Sequence, residues 1–470
     1  MSGHKVRMFS LYLQAMTAKN KLGLFDFTMI VVSLVIGMGI FRTPANVAAA
    51  SPTPLIFFIA WIAGGLVALC GALTYAEIGS RLPVMGGYYK VFSYAYHPSI
   101  AFAINCIILV SNAASGAAVA LVGSEYITGV LLPQSKDAAW LFDHKQYVET
   151  IHIGIALAAI IIFYGINMLG LRLSAKTQSV LTIIKIVLIL LLITPLFFAG
   201  NDSPHLITST IDPGFMEYVK AFGIGLVAVS FTYGGYQQTI NFGSEVERPN
   251  RNVPRGIFMG IFIIITLYLV INYAYVHVIG FEELKNSKNI AAIMASKIFG
   301  VNAERVLSVF LFLSVLAYIN ALLLSNPRVM VAMSEDKILP GAFQKRNNRG
   351  ALTLALTLFA GLAAIIVFWA KEFDTLLSFT IFLDCFGMVL SAGSIFIIRK
   401  KTAHLNGTGI YSMKLYPLLP LIFIAAYSFV AISLLVNETK LSLIGLGVLA
   451  GFIAIYFIVK AVQPKPEQKA

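Results

Sequence analysis

Two charged side chains and two glycine clusters stand inside apolar stretches of this chain. Lys185 lies within "VLTIIKIVLIL" and Asp384 within "SFTIFLDCFGMVL". Gly37-Met38-Gly39 interrupts "VVSLVIGMGIFRTPANVA", with Arg42 three residues on, and Gly234-Gly235 interrupts "SFTYGGYQQTINFGSE". Glycine lets a helix leave its regular geometry. The peptide groups freed by such a break cannot face lipid and must line a cavity or be buried in protein. At the first break, the N–H groups of Met38, Gly39 and Ile40 would open a new half-helix, whose positive end suits a carboxylate. The carbonyls near Val35 and Ile36, with those of Phe231 and Thr232 at the second break, would accept from an ammonium group. Donors and acceptors side by side are what an α-amino acid zwitterion needs. The alternative is that the glycines only permit close helix packing.

These groups must be positioned by membrane helices. The 470 residues are 58% hydrophobic and 12% charged, against about 25% charged in soluble domains. Apolar runs fall at 24–50, 55–79, 98–132, 151–168, 174–199, 218–245, 254–279, 303–335, 351–369, 373–399, 415–436 and 441–462. At about 20 residues per crossing, these are twelve spans in an all-α polytopic membrane protein. A net charge of +13 does not indicate nucleic acid, because the basic residues sit in short loops with no basic face or motif. With cytoplasmic termini, 23 of the 34 Lys and Arg fall on the cytoplasmic side and 9 on the other, the bias expected of an inner or plasma membrane protein. No cleavable signal peptide is evident. Cys70, Cys106 and Cys385 all lie within spans and have no metal spacing, so no metal or cofactor is expected. HExxH, Gly-x-Ser-x-Gly and paired intramembrane carboxylates are absent, which argues against an enzyme.

The two broken spans are the first and sixth. Each opens a group of five, so the groups insert in opposite senses, the mark of a transporter built as an inverted repeat. The predicted organisation is an N-terminal segment (1–23), a first repeat (24–199), a second repeat (218–399), two further spans (415–462) and a tail (463–470).

Five stretches in order, "IGMGIFRTPANVAAA", "GALTYAEIGSRLPVMGGYY", "GINMLGLRLSAKTQSVLTIIKI", "FTYGGYQQTINFGSEVERPNRNVPRGI" and "SNPRVMVAMSEDKILP", resemble the amino acid–polyamine–organocation transporters, most closely their L-type amino acid transporter branch. The resemblance covers nearly the whole chain. It implies five-plus-five inverted helices with spans 1 and 6 unwound, two C-terminal spans, and alternating access around a midplane site. It maps substrate contacts onto Val35, Gly37, Met38, Gly39, Phe231 and Gly234, with Phe231 as an aromatic gate. Met38 departs from the small hydroxyl residue of many relatives, leaving backbone N–H groups to hold the carboxylate. Glycine at 234, where relatives for cationic substrates often carry an acid, implies neutral substrates. Animal members bind a heavy chain through an extracellular cysteine. The corresponding loop, 133–150, has none, so no disulfide-linked partner is expected.

The intramembrane charges keep several readings. Lys185 either snorkels to an interface or is functional. The resemblance implies the second: its ammonium reaches the unwound part of span 1 and span 8, with Ser325 a neighbour, and takes the place of sodium in related sodium-coupled carriers. Asp384 lies about eleven residues into its span, roughly 16 Å deep at 1.5 Å per residue. It pairs with Arg42, contacts a substrate side chain, or couples transport to protons. The expected function is a sodium-independent carrier of neutral L-amino acids, by exchange or facilitated passage. A proton-coupled symporter and an amino acid-binding membrane sensor are the alternatives. Segment 81–96 is expected as a short surface helix or a plain loop, and Glu77, Glu125 and Glu245 as interfacial acids.

Overall fold

The computed structural model describes residues 21–37, 39–131, 145–197, 214–287, 290, 293–294, 297, 303–368, 373–407 and 409–462. Met38, most of loop 133–150 and both terminal segments therefore lie outside the described residues. The described chain is helical: α1 (Leu24–Val35), α2 (Gly39–Ala50), α3 (Pro54–Arg81), α4 (Gly87–Ala95), α5 (Pro98–Leu131), α6 (Lys145–Met168), α7 (Leu171–Ile193), α8 (Phe215–Tyr233), α9 (Pro249–Ile279), α10 (Phe281–Lys285), α11 (Ala303–Glu335), α12 (Thr353–Val367), α13 (Phe373–Lys401), α14 (Leu418–Asn437) and α15 (Thr439–Val462). Eleven described stretches are long and apolar enough to cross a membrane, counting α1–α2 as one and α8 with its continuation as one, and α12 is a shorter apolar helix. This is an all-α polytopic membrane protein.

Local sequence explains the ends that matter. Thr53-Pro54 starts α3: the Thr53 hydroxyl accepts from the Ile56 N–H at 3.4 Å, and Pro54 takes a first-turn position that needs no donor. Pro249 takes the same first-turn position in α9. The broken helices sit at the centre. α1 packs on α7 and α9, α2 on α8, α8 on α3, and α11 on α5 and α7. Small residues bring α9 against α1: a Cβ added at Gly256 would come within 2.4 Å of the Phe27 ring, and one at Gly260 within 2.5 Å of Val31. In lipid, such backbone approach and packing replace the hydrophobic drive that assembles soluble helices. Apolar side chains such as Ile161, Val180, Phe262 and Ile432 remain exposed around the outside, where hydrocarbon would meet them.

Two expectations are corrected here. Segment 81–96 does form a helix, α4, but not one merely resting at a surface. Tyr88, Tyr89, Val91 and Phe92 are buried, and the Tyr88 N–H donates to Asn241 Oδ1 at 2.9 Å. Glu77 is no interfacial acid. It is fully buried and receives Arg81 Nε at 2.7 Å, Arg399 Nε and a terminal nitrogen of Arg399 at 2.7 and 2.6 Å, and the Met413 N–H at 2.8 Å. One carboxylate thus ties α3, α13 and the segment before α14, and a fully hydrogen-bonded pair is the condition under which buried charges are tolerated.

Candidate functional site

Both breaks fall at the glycine clusters. α1 ends at Val35, the Ile36 N–H still bonds the Val32 carbonyl at 2.8 Å, and the Gly37 N–H turns back to the Val35 carbonyl at 2.8 Å. α2 resumes at Gly39. α8 ends at Tyr233, and the Gly234 N–H caps the Phe231 carbonyl at 3.1 Å. The chain then continues in 3₁₀ turns, Tyr236–Asn241 and Gly243–Glu245, instead of the second α-helical half that the apolar run to 245 implied. Gly235 makes this possible. Its φ is +112°, and an added Cβ would lie 2.2 Å from the Leu34 carbonyl oxygen of the first break. Only glycine fits a left-handed backbone pressed against another backbone.

The breaks are joined by one side chain. Tyr268 of α9 is wholly buried. Its hydroxyl donates to the Val35 carbonyl at 3.2 Å and also lies 3.4 Å from the Thr232 carbonyl. Lys185, equally buried, donates from Nζ to the Ile36 carbonyl. The side chain does not snorkel to an interface. It shares a face of α7 with Gln178 and Thr182, at i, i+4 and i+7. Gln178 donates to Ser33 and to the Ala317 carbonyl, and Thr182 lies 3.4 Å from the Met29 carbonyl. The Val35 and Ile36 carbonyls at the break are thus met from outside the helix, as buried backbone requires.

A cavity of about 90 Å³ lies between the breaks. A buried water needs about 10–15 Å³ on this measure, so the space suits a small amino acid. Its wall includes Leu34, Val35, Gly37 and Gly39 from the first break and Ser230, Phe231, Thr232, Gly234 and Gly235 from the second. Ser111, Asn112 and Ser115 of α5, Tyr318 of α11, Asp384 of α13 and Tyr427 of α14 complete it. The N-terminal end of α2 brings unpaired N–H groups to this space, and the C-terminal end of α8 brings carbonyls.

The sequence-derived residues divide accordingly. Val35, Gly37, Gly39, Phe231, Thr232, Gly234 and Asp384 line the cavity, while Ile36 and Ile40 are buried behind it. Met38 lies outside the described residues. Among the described residues, Ser325 makes no hydrogen bond with Lys185. It accepts from Asn241 Nδ2 at 3.1 Å and donates to the Gln238 carbonyl at 3.5 Å, so it supports the 3₁₀ continuation of span 6. Gln238 Nε2 in turn reaches Asn112 at 3.1 Å, and Asn112 reaches Asn326 at 2.7 Å. Among the described residues, no ion pair joins Arg42 to Asp384. The charge of Arg42 acts instead on Glu125 and Tyr126, because α2 carries it toward the far end of α5.

Sequence reasoning missed Tyr268, Tyr318, Tyr427 and the α5 polar trio. Ser111, Asn112 and Ser115 recur at i, i+1 and i+4 in an apolar span, a signal that could have been read. Tyr268 and Tyr427 look like ordinary span aromatics and gave none.

At the end of the bundle holding Leu22 and Glu245, the breaks are sealed. The Leu22 N–H donates to the Glu245 carbonyl at 2.7 Å, and the Glu247 N–H to the Leu22 carbonyl at 2.9 Å. Arg328 of α11 bonds the Glu245 carboxylate through Nε. Its guanidinium stacks 4.4 Å from the centre of the Phe242 ring, an arrangement that suits arginine. Glu245, expected as an interfacial acid, is therefore one half of a mostly buried ion pair.

The comparisons with known proteins agree with this architecture. Residues 22–459 match the family model described as amino acid permease. The chain is 28% identical to the serine/threonine exchanger SteT of Bacillus subtilis (strain 168) over 448 residues, 94% of this chain and 97% of that one. It is 25% identical to the large neutral amino acids transporter small subunit 2 of Homo sapiens over 457 residues, 96% of this chain and 82% of that one. Against the Asc-type amino acid transporter 1 of Mus musculus the identity is 23% over 456 residues, 96% of this chain and 83% of that one. The chain belongs to the amino acid permease family, within the amino acid–polyamine–organocation superfamily that its motifs resemble.

Proposed function

We propose that this permease carries neutral L-amino acids without sodium, by exchange or facilitated passage. The observation that carries the reading is the meeting of the two helix breaks on one cavity. The substrate carboxylate takes N–H groups of Met38, Gly39 and Ile40, and its ammonium takes carbonyls near Phe231 and Thr232, those of Val35 and Ile36 being already engaged by Tyr268 and Lys185. Gly37 and Gly234 keep the space open, and Phe231 closes over it. The Lys185 ammonium on the Ile36 carbonyl supports sodium independence, since a cation already sits on the oxygen that the break exposes.

The repeats run from 24 to 199 and from 218 to 399, with α14 and α15 (415–462) outside them. Both termini face the cytoplasm, in an inner or plasma membrane, on the positive-inside bias. The Leu22–Glu245–Arg328 seal is then the cytoplasmic gate, which parts as the repeats rock. A disulfide-linked heavy chain is not part of this reading, as the three cysteines lie within α3, α5 and α13 and loop 133–150 carries none. Proton-coupled symport is the second reading, favoured by a carboxylate, Asp384, in the cavity wall.

The test is uptake of labelled neutral amino acids into proteoliposomes with or without internal amino acid, in sodium or choline salts and with or without a pH gradient. Equal exchange in both salts is expected. A strict sodium requirement rejects the reading, and a pH gradient that drives accumulation without internal substrate moves it to symport.

A further inference from the structure

Asp384 is the acidic residue of the cavity wall. Among the described residues, no backbone or side-chain group donates a hydrogen bond to it and no basic side chain pairs with it. Its surroundings are Tyr88, Tyr318 and Tyr427, close enough to interact electrostatically. Asp384 is half-buried at the cavity wall, and a carboxylate at such depth is costly unless a donor meets it. The question is which substrate group can meet it.

The geometry of the cavity gives the direction. An added Cβ on Gly37 would stand 3.8 Å from the Tyr318 ring, so that ring begins where the first helix break ends. The Tyr318 hydroxyl is 3.0 Å from Ser115 Oγ, and Asp384 lies in the same wall. A zwitterion anchored at the breaks therefore points its side chain past Tyr318 toward Asp384. The space is about 90 Å³, which favours a short side chain over the long stem of lysine or arginine.

We propose that Asp384 selects, among neutral amino acids, those whose short side chain carries a hydroxyl donor. This rests on the carrier reading and names the substrate class of the same site. The hydroxyl O–H donates to the Asp384 carboxylate, and an apolar side chain of equal size covers that carboxylate without offering a donor. Discrimination of this kind is strong, because the penalty falls on the site's own unsatisfied group. Threonine and valine make the sharpest pair, having nearly the same shape and differing in one hydroxyl.

The experiment measures kcat/KM for exchange of threonine, valine and lysine in proteoliposomes holding the unmutated protein, Asp384→Asn or Asp384→Leu. Threonine is expected to exceed valine by about ten- to a hundredfold in the unmutated protein, the range for a hydrogen bond to a charged group. In Asp384→Leu the ratio should fall to near one while valine is still carried, which itself reports a folded protein. Asp384→Asn keeps an acceptor oxygen but no charge, so its ratio should fall severalfold and remain above one; this variant decides the matter if the leucine protein does not fold. A ratio near one in the unmutated protein, an unchanged ratio in Asp384→Asn, or lysine carried faster than threonine would overturn the proposal. Valine carried without threonine preference rejects this inference alone. No flux of any amino acid rejects the carrier reading itself.

Discussion

The Tyr268 hydroxyl donates to the Val35 carbonyl across 3.2 Å, and the Thr232 carbonyl stands 3.4 Å from the same oxygen. One phenol on an unbroken helix thus holds the ends of two broken ones. Tyr268→Phe keeps the ring packed between Trp61 and Tyr233 and removes only the donor. Loss of one neutral hydrogen bond is worth about 0.5–1.5 kcal/mol, so substrate affinity is expected to fall about two- to tenfold with little change in thermal stability. Unaltered affinity would mean that the clasp does not order the site.

The glycines of the two breaks should not respond alike. Gly235→Ala forces a side chain onto the Leu34 carbonyl and into a left-handed backbone, where strain alone costs roughly 1–3 kcal/mol. A lowered melting temperature and lost transport are expected. Gly37→Ala meets only ordinary contact with Tyr318 at 3.8 Å, so the protein should fold normally but lose its larger substrates first. Gly39→Val is intermediate, as the Cβ alone comes within 3.1 Å of Thr232. Melting curves paired with uptake of glycine, alanine and leucine separate the three.

Much of this was legible in the sequence, because lipid makes backbone breaks conspicuous. A glycine pair in a soluble helix is unremarkable, whereas inside an apolar span the freed peptide groups must be met by protein. That is why both breaks could be read without coordinates. Lys185 was legible for the same reason, as a charge that a span does not carry idly. The partners were not legible. Ser325 sits three residues before Arg328 on α11, and nothing in their spacing reveals that one meets Asn241 and the other Glu245. Nor does spacing along the chain tell whether Arg42 and Asp384 pair, since that depends on how α2 leaves the break.

Lys185→Met keeps length and volume but leaves the Ile36 carbonyl buried without its donor. A charge-assisted bond of this type contributes about 1.5–3 kcal/mol. Exchange is expected to drop at least tenfold in sodium and choline alike. Unchanged exchange rates would show that the contact is structural padding rather than part of the working cycle.

Glu77 offers a test confined to stability. Glu77→Gln removes the charge that Arg81 and Arg399 share, and breaking one partner out of a buried pair costs about 3–5 kcal/mol. The melting temperature in detergent should fall well below that of the unmutated protein. A neutral effect would mean that the two guanidiniums find water or other acceptors.

The central claim is that one cavity holds both charged ends of an amino acid, the carboxylate at the start of α2 and the ammonium at the end of α8. Competition against labelled substrate in counterflow, using alanine, N-acetylalanine and alanine methyl ester, tests it most directly. Alanine should compete, and each blocked form, lacking one of the two charges, should fail even at a hundredfold excess. Competition by either blocked form at concentrations close to those of alanine would contradict the account.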